Sequence, residues 1–259
     1  MLPVRLGGEC MKIVSWFSGG VTSTIATMLA LDEYGRDNVE IVFFETGSHH
    51  EDNERFFADC ERLFGKPITT VMKDGFTDIH SVFHKERFIN SPFGAPCTRL
   101  LKKKVRQEWE DANEWDHQVF GFEDSPREVM RAERFEKEYP HTKPLFPLIE
   151  RGMDKERCIS ILKDLDIELP MMYRLGYANN NCVGCVKGGM GYWNKIRVDF
   201  PKQFDEYAKM ERERGYTILK DKSGALYLDE LDPNRGRMSD EPKIECGIMC
   251  EMAEKSYGG

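Results

Sequence analysis

Two rhythms of apolar residues alternate along the first half of the chain. Residues 12–17, Lys-Ile-Val-Ser-Trp-Phe, form a short apolar run that stops at Ser-Gly-Gly. That pattern predicts a strand covered on both faces. Over 22–34, Ile25, Met28, Leu29 and Ala30 recur at helical spacing, and Gly35 marks a stop. A second apolar run covers 39–44. Residues 52–64 predict a helix with Phe56, Phe57, Ala58 and Leu63 on its buried side. A third strand is expected over 67–72, a basic helix over 98–109 and a fourth strand over 118–122. This alternation predicts an α/β fold, a parallel twisted sheet of Rossmann-like type with helices on both faces.

After residue 140 the rhythm changes. Residues 141–148 hold two prolines and read as extended; 154–166 predict a helix with Cys158, Ile161, Leu162 and Leu165 inward. A Gly- and Asn-rich stretch fills 176–191, a helix is expected over 200–214, and short strands or loops follow from Tyr216. The expected division is a core at 11–140 and a cysteine-rich C-terminal region at 141–259 that completes the active site.

Composition narrows the class. The chain has 259 residues, 40% hydrophobic and 32% charged, as expected of a folded soluble protein. It has no apolar run of about 18 residues, so no membrane partner is expected. Residues 1–11 lack the apolar centre of a signal peptide, which places the protein in the cytoplasm; Met11 is an alternative start. A net charge of −8 disfavours a broad nucleic-acid surface but leaves room for a local basic patch. With no export signal, the eight cysteines argue against a disulfide framework. Cys60 and Cys158, among apolar neighbours, read as core residues.

The chemistry concentrates in two places. Ser18-Gly19-Gly20-Val21-Thr22-Ser23 joins the first strand to the first helix. Glycines there let backbone N–H groups approach an anion, the helix N-terminus adds partial positive charge, and the hydroxyls of Ser18, Thr22 and Ser23 add donors. The plain alternative is an ordinary strand–helix turn. The second place is Cys182-Val-Gly-Cys185, a spacing that aims two thiolates at one metal centre. Two fillings compete. One is a structural Zn²⁺ on Cys182, Cys185, Cys246 and Cys250; the other is an iron–sulfur cluster that uses Cys97 with Cys182 and Cys185.

Several segments resemble known enzymes. The glycine loop resembles the pyrophosphatase loop of the adenine-nucleotide α-hydrolase superfamily, Ser-Gly-Gly-x-Asp-Ser, with Thr22 at the aspartate that helps hold magnesium. That departure argues against ATP cleavage and toward the sulfonucleotide reductases, which often lack the aspartate. Leu169-Pro170-x-x-Tyr173-x-x-Gly176-Tyr177 before the cysteine pair resembles phosphoadenylyl- and adenylyl-sulfate reductases. So does Pro96-Cys97-Thr98-Arg99 with Leu101-Lys102-Lys103, where Pro96 replaces the first cysteine of a pair. Glu45-Thr46-Gly47 resembles their Asp-Thr-Gly, and Glu245-Cys246-Gly247-Ile248 their Glu-Cys-Gly-Leu-His, with Met249 at the histidine.

The resemblance implies a divergent sulfonucleotide reductase. An adenine sulfonucleotide would sit on Ser18, Gly19, Gly20, Thr22, Ser23, Glu45, Thr46 and Gly47, and Cys246 would be the nucleophile. A [4Fe–4S] cluster would use Cys97, Cys182 and Cys185, with Cys250 as fourth ligand or one iron left open, as in related tRNA-thiolating enzymes. A thioredoxin-like protein would be the reductant. Two other classes compete: a sulfurtransferase that uses ATP to thiolate a nucleic acid or small molecule, and a zinc-stabilised nucleotide-binding module without redox activity.

Flanking groups fit either an anion site or a plain surface. Arg99, Lys102, Lys103, Lys104 and Arg106 form a basic run after Cys97. Arg127 and Arg131, one helical turn apart past the fourth strand, are candidate catalytic anion contacts; salt bridges with Glu123, Glu128 or Glu138 are the alternative. His49 and His50 follow the second strand and either approach the nucleotide or lie in an exposed loop. Tyr192 and Trp193 are expected to cover the metal site, with stacking on a base as the second option. The stretch 186–245 between the last cysteine groups matches no familiar reductase segment.

Overall fold

The computed structural model describes residues 11–89, 94–241 and 244. In chain order the elements are β1 (Ile13–Phe17), α1 (Val21–Tyr34), β2 (Val39–Glu45), α2 (Asn53–Phe64), β3 (Thr69–Met72), α3 (Ile79–Glu86) and the short α4 (Pro96–Thr98). A π-helical turn at Arg99–Lys103 leads directly into α5 (Lys104–Ala112), followed by β4 (His117–Val119), α6 (Pro126–Glu138), β5 (Pro144–Leu145) and α7 (Pro147–Glu150). Then come α8 (Lys155–Asp164), α9 (Met171–Arg174), α10 (Met190–Asp199), α11 (Pro201–Arg214), β6 (Leu219–Asp221) and β7 (Gly224–Leu226). They pack as two units. The first holds the described residues up to Glu45, Glu51–Met72 and Val105–Arg174; the second holds Thr46–His50, Lys73–Lys104 and the described residues from Leu175 on. These are packing units, whereas the division expected at 140 is one of roles.

The first unit is built on a five-stranded parallel sheet in the order β3-β2-β1-β4-β5. Every residue of the central β1 is buried, as its largely apolar run predicts, and the one polar member, Ser15, meets Thr27 Oγ1 at 2.8 Å. Alternate residues serve opposite faces. Ile13 and Phe17 of β1, with Ile41 and Phe43 of β2, join a core with Ile25 and Ala30 of α1, Phe56 of α2 and Leu162 of α8. On the other face Trp16 lies 5.1 Å from the Phe44 ring and meets Trp109 of α5 edge-on at 5.2 Å. Helices therefore cover both faces, as the sequence predicts. Cys60 and Cys158 are fully buried core residues, and burial pushes each thiol up to about 12.

Two inward assignments need correction. Ala58 is exposed, because α2 turns Phe56, Cys60 and Phe64 inward along one line of successive turns. Phe57 and Leu63 pack at the margin of that core. Leu165 is 44% exposed: α8 ends at Asp164, and Asp166 bends away with φ 55°. Inside α8, Cys158 and Leu162 are buried as expected, and Ile161 is partly buried against the core.

The second unit is helical and rich in aromatic residues. Trp193 of α10 lies 4.9 Å from Tyr207 and 6.3 Å from Phe204, both on α11. Glu211 on α11 is fully buried; its carboxylate accepts from Ile218 N–H at 2.5 Å and Leu228 N–H at 2.7 Å, tying the β6–β7 hairpin to the helix. Among the described residues, no helix is long and apolar enough to cross a membrane.

Candidate functional site

The glycine loop stands where the first unit's strand order reverses. The chain leaves β1 toward β2 and β3, then returns to β4 on the other side of β1. Ligands of open parallel sheets sit outside the strand ends at such a point. The loop is tied by its own residues. Ser23 Oγ accepts from Ser18 N–H at 3.1 Å and donates to Gly20 C=O at 2.9 Å; Ser18 Oγ lies 3.0 Å from it. The Ser23 hydroxyl hydrogen is thus spent inside the turn, so Ser23 shapes the loop instead of offering a free donor.

Gly19 adopts φ 74°, and Gly20 caps α1 without a side chain. Thr22 is half-buried on the first turn of α1. Gly121, just past β4, has to be glycine: a Cβ there would lie 2.8 Å from both Ser23 N and Cα. A Cβ on Gly20 would meet the Tyr173 hydroxyl at 3.2 Å, which places the tyrosine of the Leu-Pro-x-x-Tyr stretch beside the loop. Asp52 secures that stretch. Its carboxylate pairs with Arg55 and Arg174 and accepts from Met171 N–H, and the Arg55 bond first of all holds it down at about 2.

The cysteine turn lies in the second unit. Cys182 and Cys185 are buried, and Cys97 is half-buried. The Tyr192 hydroxyl spans the turn, accepting from Cys185 N–H at 2.9 Å and donating to Cys182 C=O at 3.4 Å. Val183 N–H donates to Ser48 C=O at 2.9 Å, and Thr46 Oγ1 lies 3.0 Å from Cys182 Sγ. Thr46 and Gly47, read from sequence as nucleotide contacts, are therefore placed with the cysteine turn, while Glu45 closes β2 in the first unit.

Downstream, the Glu241 carboxylate accepts from Gly189 N–H and Gly191 N–H at 2.7 Å each, an anion on the N-terminus of α10. Asn179 and Asn181 both donate to Ile244 C=O at 3.0 Å. This gives the Gly-Gly-Met-Gly segment, unexplained in sequence, a structural role. Cys246 and Cys250 lie outside the described residues. Among the described residues, no group of three or more His, Cys, Asp or Glu side chains is arranged to hold a metal ion.

The flanking groups divide. Arg131 donates to Glu128 at 2.6 Å, with its guanidinium 5.1 Å from the Phe122 ring; Arg127 is exposed on the first turn of α6. In the basic run, Arg99 pairs with Glu86, and Arg106 is buried beside Glu110. The π-helical turn between them buries Leu100 and Leu101 side by side. His49 Nδ1 lies 3.3 Å from Thr46 Oγ1, and the His50 ring 5.6 Å from Phe200. Tyr192 and Trp193 are buried at 2% and 0% exposure, which removes base stacking as their role. Sequence reasoning missed Tyr207: a Cβ on Gly184 would collide with its ring, and only the glycine inside the Cys-x-Gly-Cys turn hints at a close neighbour.

No family model matches the chain. An uncharacterized protein of Methanocaldococcus jannaschii is 24% identical over 205 residues, covering 76% of this chain and 41% of that protein. The chain thus spans about two fifths of the length of that curated relative. A crystal structure of phosphoadenylyl-sulfate (PAPS) reductase from Candida auris, in a phosphate complex, is similar with a TM-score of 0.49 and 11% identity, covering 68% of this chain and 82% of that one.

Proposed function

We propose that the chain is a sulfonucleotide reductase-like enzyme that takes adenylyl sulfate or its 3′-phosphorylated form and releases sulfite. The observation that carries this reading is the serine-locked glycine loop at the strand-order reversal, a cradle for the anionic tail of a nucleotide. Thr22 in place of an acidic residue suits a substrate that needs no magnesium for cleavage.

In the proposed reaction the Cys246 thiolate attacks the sulfur of the sulfonucleotide. A sulfur–sulfur bond forms, the bond from sulfur to the bridging oxygen breaks, and the nucleoside phosphate leaves with that electron pair. A dithiol carrier, thioredoxin-like, then supplies two electrons. One thiolate displaces sulfite from the S-sulfocysteine, the second thiol closes the carrier's disulfide, and Cys246 returns to the thiol.

The reading includes an iron–sulfur cluster whose ligand set extends beyond the described residues, among which no metal-holding group is formed. The buried Tyr207 ring packs against Gly184 of the cysteine turn, and its hydroxyl has no hydrogen-bond partner among the described residues. Cys97, Cys182, Cys185 and Cys250 would hold a [4Fe–4S] cluster; Zn²⁺ on Cys182, Cys185, Cys246 and Cys250 is the other filling. When bound, a cluster supplies a compact iron–sulfur unit whose potential follows the hydrogen bonds to its sulfurs.

The test is an anaerobic preparation, assayed for iron, zinc and sulfite release from both sulfonucleotides with a reduced thiol carrier. The expected result is about four irons per chain and sulfite release that falls by about three orders of magnitude or more in Cys246→Ser. Full activity in that variant would remove Cys246 as nucleophile. ATP cleaved to AMP and pyrophosphate with no sulfite would replace reduction by sulfur transfer.

A further inference from the structure

Tyr173 stands at the glycine loop without belonging to it. A Cβ built on Gly20 would lie 3.2 Å from its hydroxyl, so the phenol oxygen reaches the residue that caps α1. The side chain is half-buried, and it packs at the margin of the first unit's core. The segment that carries it is fixed from α2. Arg55 donates to Glu168 C=O at 3.1 Å and to Leu169 C=O at 3.2 Å, and Asp52 accepts from Met171 N–H at 2.8 Å. Packing alone asks for the ring; it does not ask for an oxygen at the loop.

Lys155 lies over the same ring, with Nζ 5.4 Å from its centroid. A second route puts it at the same end of the sheet. Asp124 N–H donates to Met153 C=O at 2.9 Å. Met153 is two residues before Lys155, and Asp124 is three residues after Gly121, whose Cβ would strike Ser23. Lys155 is the first residue of α8, where the helix dipole disfavours a cation. Asp154 already caps that turn, accepting from Arg157 N–H at 2.7 Å, so the cap does not call for a lysine. The electron-rich ring face holds the ammonium group.

The loop Ser18–Ser23 contains no charged residue, and Thr22 stands where an acidic side chain would help hold a metal ion. An anionic tail seated there needs its charge balanced by the protein. We infer that Tyr173 and Lys155 form one side of the anion cradle. The phenol donates a hydrogen bond to the sulfate or phosphate tail of the nucleotide, and the ammonium group neutralises its charge. The assignment rests on the loop being a nucleotide cradle and adds the cation that the loop lacks.

Binding is measured by calorimetry with adenylyl sulfate, inorganic pyrophosphate and adenosine. Lys155→Met should weaken adenylyl sulfate and pyrophosphate about tenfold and leave adenosine unchanged, and Lys155→Arg should restore most of the loss. Tyr173→Phe, which keeps the ring, should weaken the two anionic ligands about fivefold. Parent affinities in both Lys155→Met and Tyr173→Phe would overturn the inference. So would an equal loss for adenosine, which marks damage to the fold.

If the variants do not fold, the parent protein decides. Acetylation of Lys155, read by mass spectrometry, should slow when adenylyl sulfate or pyrophosphate is added and stay the same with adenosine. A rate unchanged by either anion would overturn the inference. A parent that shows the expected binding pattern but releases no sulfite sinks the reductase and keeps this pair. Sulfite release with parent affinities in the variants sinks the pair and keeps the reductase.

Discussion

The turn at Ser18–Ser23 and the turn at Cys182–Cys185 each bend through a glycine of nearly the same conformation, Gly19 at φ 74° and Gly184 at φ 76°. They are held in opposite ways. The first is tied by residues within five positions of one another, all in the loop or the first turn of α1. The second is tied by Tyr192, Ser48 and Tyr207 and by Thr46, which is 136 positions from Cys182. A locally tied turn forms wherever a strand runs into a helix. A remotely tied turn exists only when its whole unit is assembled.

The sharpest way to break that comparison is a matched pair of substitutions. Gly184→Ala sets a methyl group into the buried Tyr207 ring and should cost about 3–5 kcal/mol, read as a lower midpoint in urea melts. Gly19→Ala, at φ 74°, meets a backbone penalty of about 1–2 kcal/mol. Equal losses would mean that the two turns are held alike.

The second unit should also answer to pH in its own direction. Burial pushes the Glu211 carboxyl up from 4.5 to about 7. The folded state binds that proton more tightly than the unfolded state. Its contribution is therefore full below about 4.5 and lost as pH rises through about 7. Stability measured across this window should fall with rising pH, and Glu211→Gln should flatten the slope. A slope that survives in the variant would assign the effect to another group.

Ser23→Ala should have the smallest effect on stability, about 1 kcal/mol, because it removes hydroxyl bonds within one turn. Its larger expected effect is on adenine-nucleotide affinity, which calorimetry would show reduced several-fold as the loop loses its lock. Unchanged affinity would mean that the loop's shape does not govern binding.

What the sequence discloses follows the same line between local and remote. The run 12–17, the glycines after it and the periodicity of 22–34 give β1, the loop and α1 almost to the residue, since neighbours in sequence make those contacts. Inward faces were less legible: Ala58 and Leu165 are apolar residues of predicted helices, yet the turn of α2 and the end of α8 leave both outside. The cysteine spacing was visible, but what surrounds it was not. Thr46 reads as a nucleotide contact through the resemblance of Glu45-Thr46-Gly47 to Asp-Thr-Gly, and its place beside Cys182 shows only in the fold; Tyr207 reads as one more aromatic on a helix until α11 is placed. Glu241 was equally silent, since nothing near it in sequence calls for an anion.

The sheet has two margins, and both bear on self-association. An open strand invites pairing with another chain. Here β3 has only four residues, with Lys66 before it and Lys73 after it, and β5 has two, the first of them Pro144, which has no N–H to offer. Short length, charge and a missing donor blunt each margin, so the sheet is a poor template for edge-to-edge growth.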